Sequence, residues 1–307
     1  MKVLVTGANG YIGRHVTKKL LDCGCQVVAS DIRFDAKDTE ALYREIDLFS
    51  AEGDLFTELG CPDVCIHLAW RNGFDHYNFT HVGDLPGHYA FLTGLIDAGL
   101  SQLVVMGTMH EVGYFEGAIT EDAPTHPVTP YGIAKNALRE LMEIYCAKKN
   151  TVLQWTRGYY ILGDDARNNS IFSKMKEAEA RGQELFPFTT GKNKFDFITV
   201  DELAAQIAAV AMQTEVKGII NCCSGRPVAL AEQAEKFIRD NNMKIRLDYG
   251  KFPDRADASP AVWGDPEKIN RIMAAAAGKK RQRKTDDSGT AVYERGKNHG
   301  KNYSRNM

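Results

Sequence analysis

The chain has 307 residues, of which 44% are hydrophobic and 25% charged, and its net charge at neutral pH is −2. This length allows one large domain or two modest ones with a proper core, and the near-neutral charge gives no reason to expect a nucleic-acid partner. No apolar run approaches the roughly 18 to 20 residues of a membrane span, no signal-peptide pattern opens the chain, and the odd number of irregularly spaced cysteines favours free thiols, so we expect a cytoplasmic protein without a membrane partner.

Short apolar runs alternate with helix-like stretches through the first half of the chain. Apolar strands separated by helices favour right-handed crossovers and a parallel sheet covered on both faces. The pattern therefore predicts an α/β fold, a Rossmann-like doubly wound parallel sheet. The predicted strands are 3–6, 26–31, 45–48, 64–68, 103–106 and 152–157, and the predicted helices are 11–23, about 89–98 and about 131–148.

The second half of the chain is less regular. Residues 195–210 predict a strand followed by a helix, and residues 218–225 predict another short strand. A further helix is predicted over 266–277, because Asp265 is a favourable N-cap, Pro266 suits the first helical position and Gly278 stands just past the expected end.

These patterns divide the chain into a main domain and a smaller interleaved lobe. We expect the main domain over 1–165, with elements from about 195–225 returning to it, and a C-terminal substrate lobe over 166–278. Residues 279–307 are rich in lysine and arginine and poor in apolar side chains. That composition favours a solvated, disordered tail over a nucleic-acid contact, since no stacking aromatics accompany the charge elsewhere.

Three glycines follow the first predicted strand in the stretch KVLVTGANGYIGRHV. Gly7 allows a tight turn, Gly10 lets the backbone approach a phosphate, and Gly13 lets the following helix pack closely on the strand. The free N–H groups at the start of that helix then face an anion. The spacing predicts that the main domain binds the pyrophosphate of a dinucleotide.

The second predicted strand ends with Asp31. A carboxylate at that place accepts hydrogen bonds from the adenosine ribose hydroxyls and repels a 2′-phosphate, which favours NAD over NADP. Arg33, two residues later, is able to reverse the preference, so NADP stays possible.

Three pairs in the chain have the spacing YxxxK, namely Tyr131–Lys135, Tyr145–Lys149 and Tyr293–Lys297. Only Tyr131 follows a proline at the start of a predicted helix, near the edge of the sheet where ligands bind in this fold. Tyr145 lies about 21 Å further along the same helix, at 1.5 Å per residue. Context therefore selects Tyr131 and Lys135 as the candidate pair.

The stretch LVVMGTMHEVG supplies Thr108 at the end of the fifth predicted strand. It resembles the SSSxxVYG element of the extended short-chain dehydrogenases/reductases, the NAD-dependent nucleotide-sugar epimerase/dehydratase/reductase family. The glycine spacing TGxxGxxG and the HLAW turn at 67–70 resemble that family as well, and the likeness extends from residue 2 to about 270. The resemblance implies a homodimer built through a bundle that includes helix 131–148.

In such an enzyme Thr108, Tyr131 and Lys135 would be the catalytic residues. Hydride transfer at a C–OH carbon requires a proton to move on the oxygen, and a tyrosine is a poor base at neutral pH unless nearby positive charge lowers its pKa. Lys135 would supply that charge and hold the nicotinamide ribose, while Thr108 hydrogen-bonds the same oxygen. The residues that the resemblance assigns to the cofactor are Gly7, Gly10, Tyr11, Ile12, Gly13, Asp31, Arg33, Asp47, Leu48, Leu68, Ala69, Trp70, Tyr131 and Lys135.

The resemblance continues into the C-terminal half with departures. RGYYILG stands where many members have RxFNxxG, with Tyr160 in place of the asparagine. FDFITVDELA resembles RDFIxVDDxA, with Phe195 in place of the arginine and a nearby lysine as its substitute. Arg255 would clamp the diphosphate through its planar guanidinium, with Asp257 as a helper. The substrate candidates are Met109, His110, Tyr160, Lys194, Arg226 and Arg255.

The 4,6-dehydratases of this family carry an Asp–Glu pair directly after the hydroxyl residue, whereas this chain has Met109 and His110. We therefore expect reduction of a 4-keto-6-deoxy sugar nucleotide, with an NAD-retaining 4-epimerase as the alternative and a non-catalytic dinucleotide sensor as a third possibility. His76, His81 and His88 have spacings that fit no single helix face, so we expect no metal site and place them at the rim of the active site.

Overall fold

The computed structural model describes residues 1–50, 52–163, 168, 170–254 and 259–278. Arg255, Asp257 and the basic tail lie outside these residues. The strands are β1 Lys2–Thr6, β2 Gln26–Asp31, β3 Leu42–Glu45, β4 Val64–His67, β5 Gln102–Thr108, β6 Gly117–Ile119, β7 Val152–Gly158, β8 Tyr160–Leu162, β9 Leu185–Pro187, β10 Lys194–Thr199, β11 Gly218–Cys222, β12 Pro227–Ala229, β13 Arg246–Asp248 and β14 Ala261–Gly264.

The helices lie between these strands. They are α1 Gly13–Asp22, α2 Leu55–Glu58, α3 Thr80–Gly83, α4 Leu85–Asp97, α5 Pro130–Lys149, α6 Ile171–Ala180, α7 Val200–Ala211, α8 Leu230–Asp240 and α9 267–278, with a 3-10 turn at Met109–Glu111. Across the described residues, none of the helices combines the length and the apolar character that crossing a bilayer requires.

Seven parallel strands form the central sheet in the order β11-β7-β5-β4-β1-β2-β3. The chain builds outward from β1 to β3 and then continues on the other side of β1 with β4. In open α/β sheets, ligands bind at the carboxyl ends of the strands where the order reverses in this way. The predicted doubly wound α/β fold is confirmed, and the point of reversal lies between β1 and β4.

Both faces of the sheet are covered because successive side chains of a strand point in opposite directions. Val3 and Val5 of β1 pack in one cluster with α1 and α7, whereas Leu4 packs in a second cluster with α4 and α5. All three are fully buried. Burying a side chain of this size stabilises the fold by about 1.5–3 kcal/mol, and the apolar strands and the helices that cover them build the core together.

The remaining strands form a five-stranded sheet, in which β12, β10, β14 and β6 are neighbours and β8 pairs with β10, and a two-stranded sheet of β13 and β9. Asp196 of β10 is fully buried and accepts hydrogen bonds from the backbone N–H groups of Ser224, Gly225 and Gly264. This carboxylate ties the smaller sheet to the turn after β11. The return to the central sheet is made by α7 and β11, whereas the strand at 194–199 belongs to the smaller sheet.

Three local expectations are corrected by the structure. The third strand is Leu42–Glu45, not 45–48: it pairs with β2 at the edge of the sheet, where polar side chains are tolerated, and the apolar Ile46 and Leu48 are buried from the loop that follows. Helix α4 begins at Leu85, four residues before the expected start, with a proline in its first turn. Gly278 is the last described residue of α9 rather than a residue beyond it.

Candidate active site

The glycine turn after β1 lies at the point where the strand order reverses. Gly7 has a positive φ of +67°, and a Cβ there would lie 2.7 Å from the backbone N of Ala69. A Cβ on Gly13 would lie 2.0 Å from the carbonyl oxygen of Gly7, and one on Gly10 would lie 3.0 Å from it. Only glycines allow this compact turn, which brings the N-terminus of α1 to the crevice and suits a pyrophosphate.

Asp31 closes the same turn from β2. Its Oδ2 accepts a hydrogen bond of 2.9 Å from the Asn9 backbone N–H, and its Oδ1 accepts one of 2.8 Å from that of Ile32. Partial burial raises the pKa of this carboxyl, while the two backbone N–H donors oppose that shift. Arg33 is exposed two residues later. The donor set of the glycine turn, the helix N-terminus and this carboxylate fits an NAD molecule.

The other predicted cofactor residues surround this turn. The hydroxyl of Tyr11 donates to the Gly163 carbonyl at 2.7 Å, and its ring lies 6.1 Å from that of Phe74. Ile12 is the N-cap residue of α1 and packs on the core. Tyr11 thus links the glycine turn to the chain segment that follows β8.

Beyond β3, Asp47 is exposed and its Oδ1 accepts a hydrogen bond from the Phe49 backbone N–H at 3.1 Å, while Leu48 is buried. Leu68 and Ala69 are half-buried at the end of β4. A Cβ on Gly7 would contact both of their backbones, so the end of β4 forms the wall directly beside the glycine turn.

The predicted catalytic side chains come together at the next strand ends. Thr108 is the last residue of β5, and Tyr131 lies in the first turn of α5, where the side chain of Thr129 accepts a hydrogen bond from the Gly132 N–H. The Thr108 side chain lies close enough to the Tyr131 phenol to lower its pKa as a hydrogen-bond partner. A Cβ on Gly132 would lie 2.4 Å from the His110 carbonyl oxygen, so this glycine lets the helix approach the turn after β5 closely.

Lys135 lies one turn further along α5 and is only 3% exposed. Its Nζ donates to the Met106 carbonyl at 2.7 Å and lies 3.8 Å from the centroid of the Trp70 ring. Burial lowers the pKa of Lys135 to about 7, and the nearby Glu111 carboxylate opposes that shift. Burial also raises the pKa of Tyr131 to about 12, although its hydrogen bond with Thr108 acts in the opposite direction.

Sequence reasoning missed Glu111, which is fully buried under the catalytic turn. Its Oε1 accepts hydrogen bonds of 2.8 Å from the Thr108 N–H and of 2.8 Å from the Trp155 indole N–H. Its Oε2 lies 3.3 Å from Nη2 of the fully buried Arg157 and 4.0 Å from Nε of Arg139. An acidic residue beside one predicted buried strand and an arginine in the next were the available signal for this ion pair.

Three imidazoles surround the Tyr131 ring. His76 stacks on it at 4.8 Å with an interplanar angle of 10°, and the His76 carbonyl accepts a hydrogen bond from the Tyr131 N–H. His81 lies 5.1 Å and His110 6.1 Å from the same ring, between centroids. The segment after β4 thus lies against the catalytic tyrosine, although the sequence placed its histidines only at a rim.

Among the described residues, no group of three or more His, Cys, Asp or Glu side chains is arranged to hold a metal ion. His88, the third histidine of that segment, is buried. Nδ1 of His88 lies 2.9 Å from Nε2 of His67, and Nδ1 of His67 lies 2.8 Å from the Thr6 hydroxyl. The two imidazoles and the hydroxyl thus form one hydrogen-bonded chain.

The substrate candidates separate into two places. Met109 is buried in the core, and His110 stands in the 3-10 turn beside Thr108, so both adjoin the catalytic side chains. Tyr160 packs against Phe195 at 4.4 Å between ring centroids, inside the smaller lobe.

Two further candidates are basic residues of that lobe. Lys194 begins β10 and Arg226 directly precedes β12, its antiparallel neighbour, and both side chains are exposed.

Comparison with known proteins agrees with this geometry. The family model "NAD dependent epimerase/dehydratase family" matches residues 3–223. A curated relative from Aggregatibacter actinomycetemcomitans, dTDP-6-deoxy-L-talose 4-dehydrogenase (NAD(+)), is 43% identical over 273 residues, which cover 86% of this chain and 99% of the relative.

Solved structures show the same fold. A UDP-N-acetylglucosamine 4-epimerase from Methanobrevibacter ruminantium superimposes with a TM-score of 0.77 at 18% identity, covering 88% of this chain and 91% of its own. A UDP-glucose 4-epimerase from Thermotoga maritima gives a TM-score of 0.73 at 22% identity, covering 88% and 92%. The family match confirms the predicted NAD cofactor and enzyme class. The chain belongs to the NAD-dependent epimerase/dehydratase family.

Proposed function

We propose that the protein is an NAD-dependent oxidoreductase that interconverts the 4-keto and 4-hydroxy forms of a 6-deoxyhexose carried on dTDP. The observation that carries this proposal is the 43% identity over nearly the whole length of a relative named dTDP-6-deoxy-L-talose 4-dehydrogenase. That name describes oxidation of the alcohol, and the reduction expected from the sequence is the same reaction in the opposite direction. The Thr108–Tyr131–Lys135 set supports it.

The three side chains divide the proton chemistry between them. Tyr131 Oη takes the proton of the sugar C4 hydroxyl during oxidation and returns it to the C4 oxygen during reduction. Thr108, whose side chain adjoins the Tyr131 phenol, orients the same oxygen. NAD, when bound, accepts or supplies the hydride at C4. Because both hydroxyls are fixed by the strand end and the helix start, the sugar oxygen needs little further ordering.

Charge makes the phenol useful as a base. Burial raises the pKa of Tyr131 to about 12, so the phenolate forms near neutral pH only where positive charge lies close. Lys135 supplies such a charge from the same helix face, one turn away, and we assign it the nicotinamide ribose as well. Asp31 is assigned to the adenosine ribose.

The turn after Thr108 argues against elimination of water. Met109 is buried among apolar side chains, and His110 replaces the second acid of a dehydratase. The carboxylate of Glu111 is held by the Thr108 N–H, Trp155 and Arg157. A dehydratase needs a carboxylic acid that is able to reach the sugar, and this turn offers it none.

For the sugar nucleotide we propose the smaller lobe. Lys194 begins β10 and Arg226 directly precedes its neighbour β12, and Arg255, outside the described residues, is assigned to the diphosphate. A planar guanidinium suits the oxygens of a diphosphate. Tyr160 and His110 are assigned to the walls of the sugar site.

The experiment follows NADH absorbance when the purified protein is mixed with dTDP-6-deoxy-L-talose and NAD, and in reverse with the 4-keto sugar nucleotide and NADH. We expect NADH to form in the first mixture and to disappear in the second. UDP-glucose serves as the control for a substrate with a 6-hydroxyl and a different base.

Other outcomes overturn the proposal. Inversion at C4 without net change in NADH, by a protein that retains NAD through purification, would identify a 4-epimerase. Bound NAD with no turnover of either sugar, and no effect of Tyr131→Phe on any property other than stability, would identify a sensor.

We also propose that the enzyme acts in the cytoplasm as a homodimer and takes no nucleic-acid partner. Support for the dimer comes from α5, where the apolar Ile133, Leu141 and Ile144 are 49%, 41% and 72% exposed. A mass measurement by light scattering, with Ile144→Glu as the variant expected to give monomers, tests the dimer.

A further inference from the structure

Trp70 occupies an unusual place for a large aromatic ring, directly after the HLA turn that ends β4. One face of the indole receives the ammonium group of Lys135, whose Nζ lies 3.8 Å from the ring centroid. The other contact is His88, which stacks at 4.3 Å with an interplanar angle of 10°. Trp70 is therefore the aromatic ring that the ammonium group of Lys135 contacts.

The edge of the ring is fixed as well. The indole N–H donates to Nδ1 of His81 at 3.0 Å, so that nitrogen is an acceptor and the proton of His81 sits on Nε2. Nε2 in turn donates to the Asp75 carbonyl at 2.9 Å. This chain of bonds sets the rotation of the indole, since a tryptophan held only by stacking would be free to slide in its plane.

Two uncharged imidazoles, those of His67 and His88, lie next to the Trp70 ring or its neighbour. His67 and His88 are 1% and 2% exposed and share a hydrogen bond of 2.9 Å. Burial and the charge of Lys135 lower the pKa of both imidazoles, that of His88 to about 3. Neutral imidazoles fill the space under Trp70 without adding a second positive charge beside Lys135.

We propose that Trp70 is a positioning residue that holds the Lys135 ammonium, in its charged form, one helical turn from Tyr131 through a cation–π contact. A buried ammonium without compensation loses its proton. An indole face is the best of the aromatic surfaces for stabilising it, most strongly where water is excluded. The inference concerns residues of this chain alone, and it rests on the proposed function only for its kinetic consequence.

Two other groups compensate the charge of Lys135: the Met106 carbonyl, which accepts a hydrogen bond from Nζ at 2.7 Å, and Glu111, the carboxylate among the described residues whose charge acts on Lys135. Its oxygens are already bonded to the Thr108 N–H, Trp155 and Arg157, so much of its charge is balanced. The titratable groups around Lys135, from its own helix and from the segments packed against it, are Glu111, Tyr131, His67, His81 and His88.

The direct test is the pKa of Lys135, measured by NMR on protein labelled at the lysine ε-carbon, with the resonance assigned by its absence from Lys135→Met. In the unsubstituted protein we expect a midpoint near pH 7. Trp70→Leu removes the ring face and lowers that midpoint by roughly 0.5 to 1.5 pH units. Trp70→Phe keeps a weaker aromatic face and gives an intermediate value.

A second measurement keeps the test decisive if Trp70→Leu does not fold. Fluorinated tryptophans retain the shape of the indole while withdrawing electron density from its face, so increasing fluorination lowers the midpoint step by step. The chain has three tryptophans, so the same labelling of Trp70→Phe fluorinates only Trp155 and Trp263. This variant is the matched control, and we expect its Lys135 midpoint to be the same with and without fluorination.

If neither Trp70→Leu nor fluorination changes the titration midpoint of Lys135, the proposal is overturned, whatever the enzyme's substrate. If the proposed function holds, a fall of one unit in the pKa of Lys135 reduces its charged fraction at pH 7 about fivefold. In the direction of reduction, in which Tyr131 donates its proton, the kcat at that pH falls by a similar factor and recovers as the pH is lowered toward the new midpoint. A simple packing defect in Trp70→Leu would lower kcat at every pH instead.

Discussion

The two halves of the active site differ in what holds them. On the side of the glycine turn, backbone geometry dictates the residues: a Cβ on Gly7 or Gly13 would collide with main-chain atoms. On the side of the smaller lobe, the positions that depart from the family pattern are side chains packed against one another. Tyr160 and Phe195, which stand where an asparagine and an arginine are usual, lie 4.4 Å apart between ring centroids.

The two halves therefore differ in how freely their residues can be exchanged. Backbone collisions cannot be relieved by a neighbouring substitution, whereas an asparagine and an arginine can be exchanged together for an aromatic pair. The two departures in the lobe are one structural feature, because β8 and β10 are paired neighbours. We infer that the lobe carries the specificity for the sugar, and the four predictions below test that contrast.

The largest effect is expected in the half of the site that includes the glycine turn and the catalytic residues of β5 and α5, which we call the fixed half. Tyr131→Phe removes the proton acceptor and lowers kcat by about 10²- to 10⁴-fold, while the ring stack on His76 remains. Tyr145→Phe is the matched control, since its hydroxyl bonds Asp97 at the far end of α5. Equal losses in both variants would remove Tyr131 from the mechanism.

Glu111→Gln tests the buried support of the catalytic turn. The substitution leaves Arg157, which has no solvent exposure, without a negative partner, so we expect the free energy of unfolding to fall by about 3–5 kcal/mol. Urea denaturation measures it. Asp240→Asn breaks an exposed ion pair with Lys236 and is the control, with a change below about 1 kcal/mol. Similar changes in the two variants would mean that the Glu111 network is not structural.

Gly132→Ala tests the close approach of α5 to the turn after β5. The added methyl meets the His110 carbonyl oxygen, and relief of that contact costs about 1–3 kcal/mol of stability. It also moves Tyr131 away from Thr108, which lowers kcat about 10²-fold. Gly94→Ala in α4 meets open space and raises stability by about 0.5–1 kcal/mol. Unchanged kcat in Gly132→Ala would contradict the assigned geometry.

The smallest effect is expected in the lobe. Tyr160→Asn and Phe195→Arg, made singly and together, form a double-mutant cycle whose coupling energy we expect to be about 0.5–1.5 kcal/mol. All three variants change the KM for the sugar nucleotide and leave the KM for NAD unchanged. A changed KM for NAD alone would place these side chains on the wrong half of the site.

Much of the fixed half was predictable because its signals are local. The turn from β1 to α1 needs its glycines within seven residues, and Tyr131 and Lys135 share a helix face because they are four residues apart. The edge strand β3 was misplaced because its own side chains are polar, and the apolar residues after it are buried from a loop. A hydrophobic pattern in the sequence indicates which residues are buried. At β3 the paired residues are polar, and the buried residues lie in the loop that follows, so the pattern misplaced the strand.

The supports of the site were not predictable from one sequence. Glu111 meets Arg157, Trp70 meets Lys135, and Asp196 meets Ser224. Each contact joins residues that are 28 or more positions apart, so the spacing of residues within a short stretch does not predict it. Lys194 and Arg226 stood out as basic residues, but only the pairing of β10 with β12 brings their two segments together.

The doubly wound sheet, the NAD-binding turn and the family are readable from the amino-acid sequence, because strand burial, helix periodicity and steric limits on glycine act over short stretches of chain. The surroundings of the catalytic lysine depend on tertiary contacts instead. Parallel strands bring residues from distant crossovers to one edge, and the charge of Lys135 depends on an indole and a carboxylate that reach it through space.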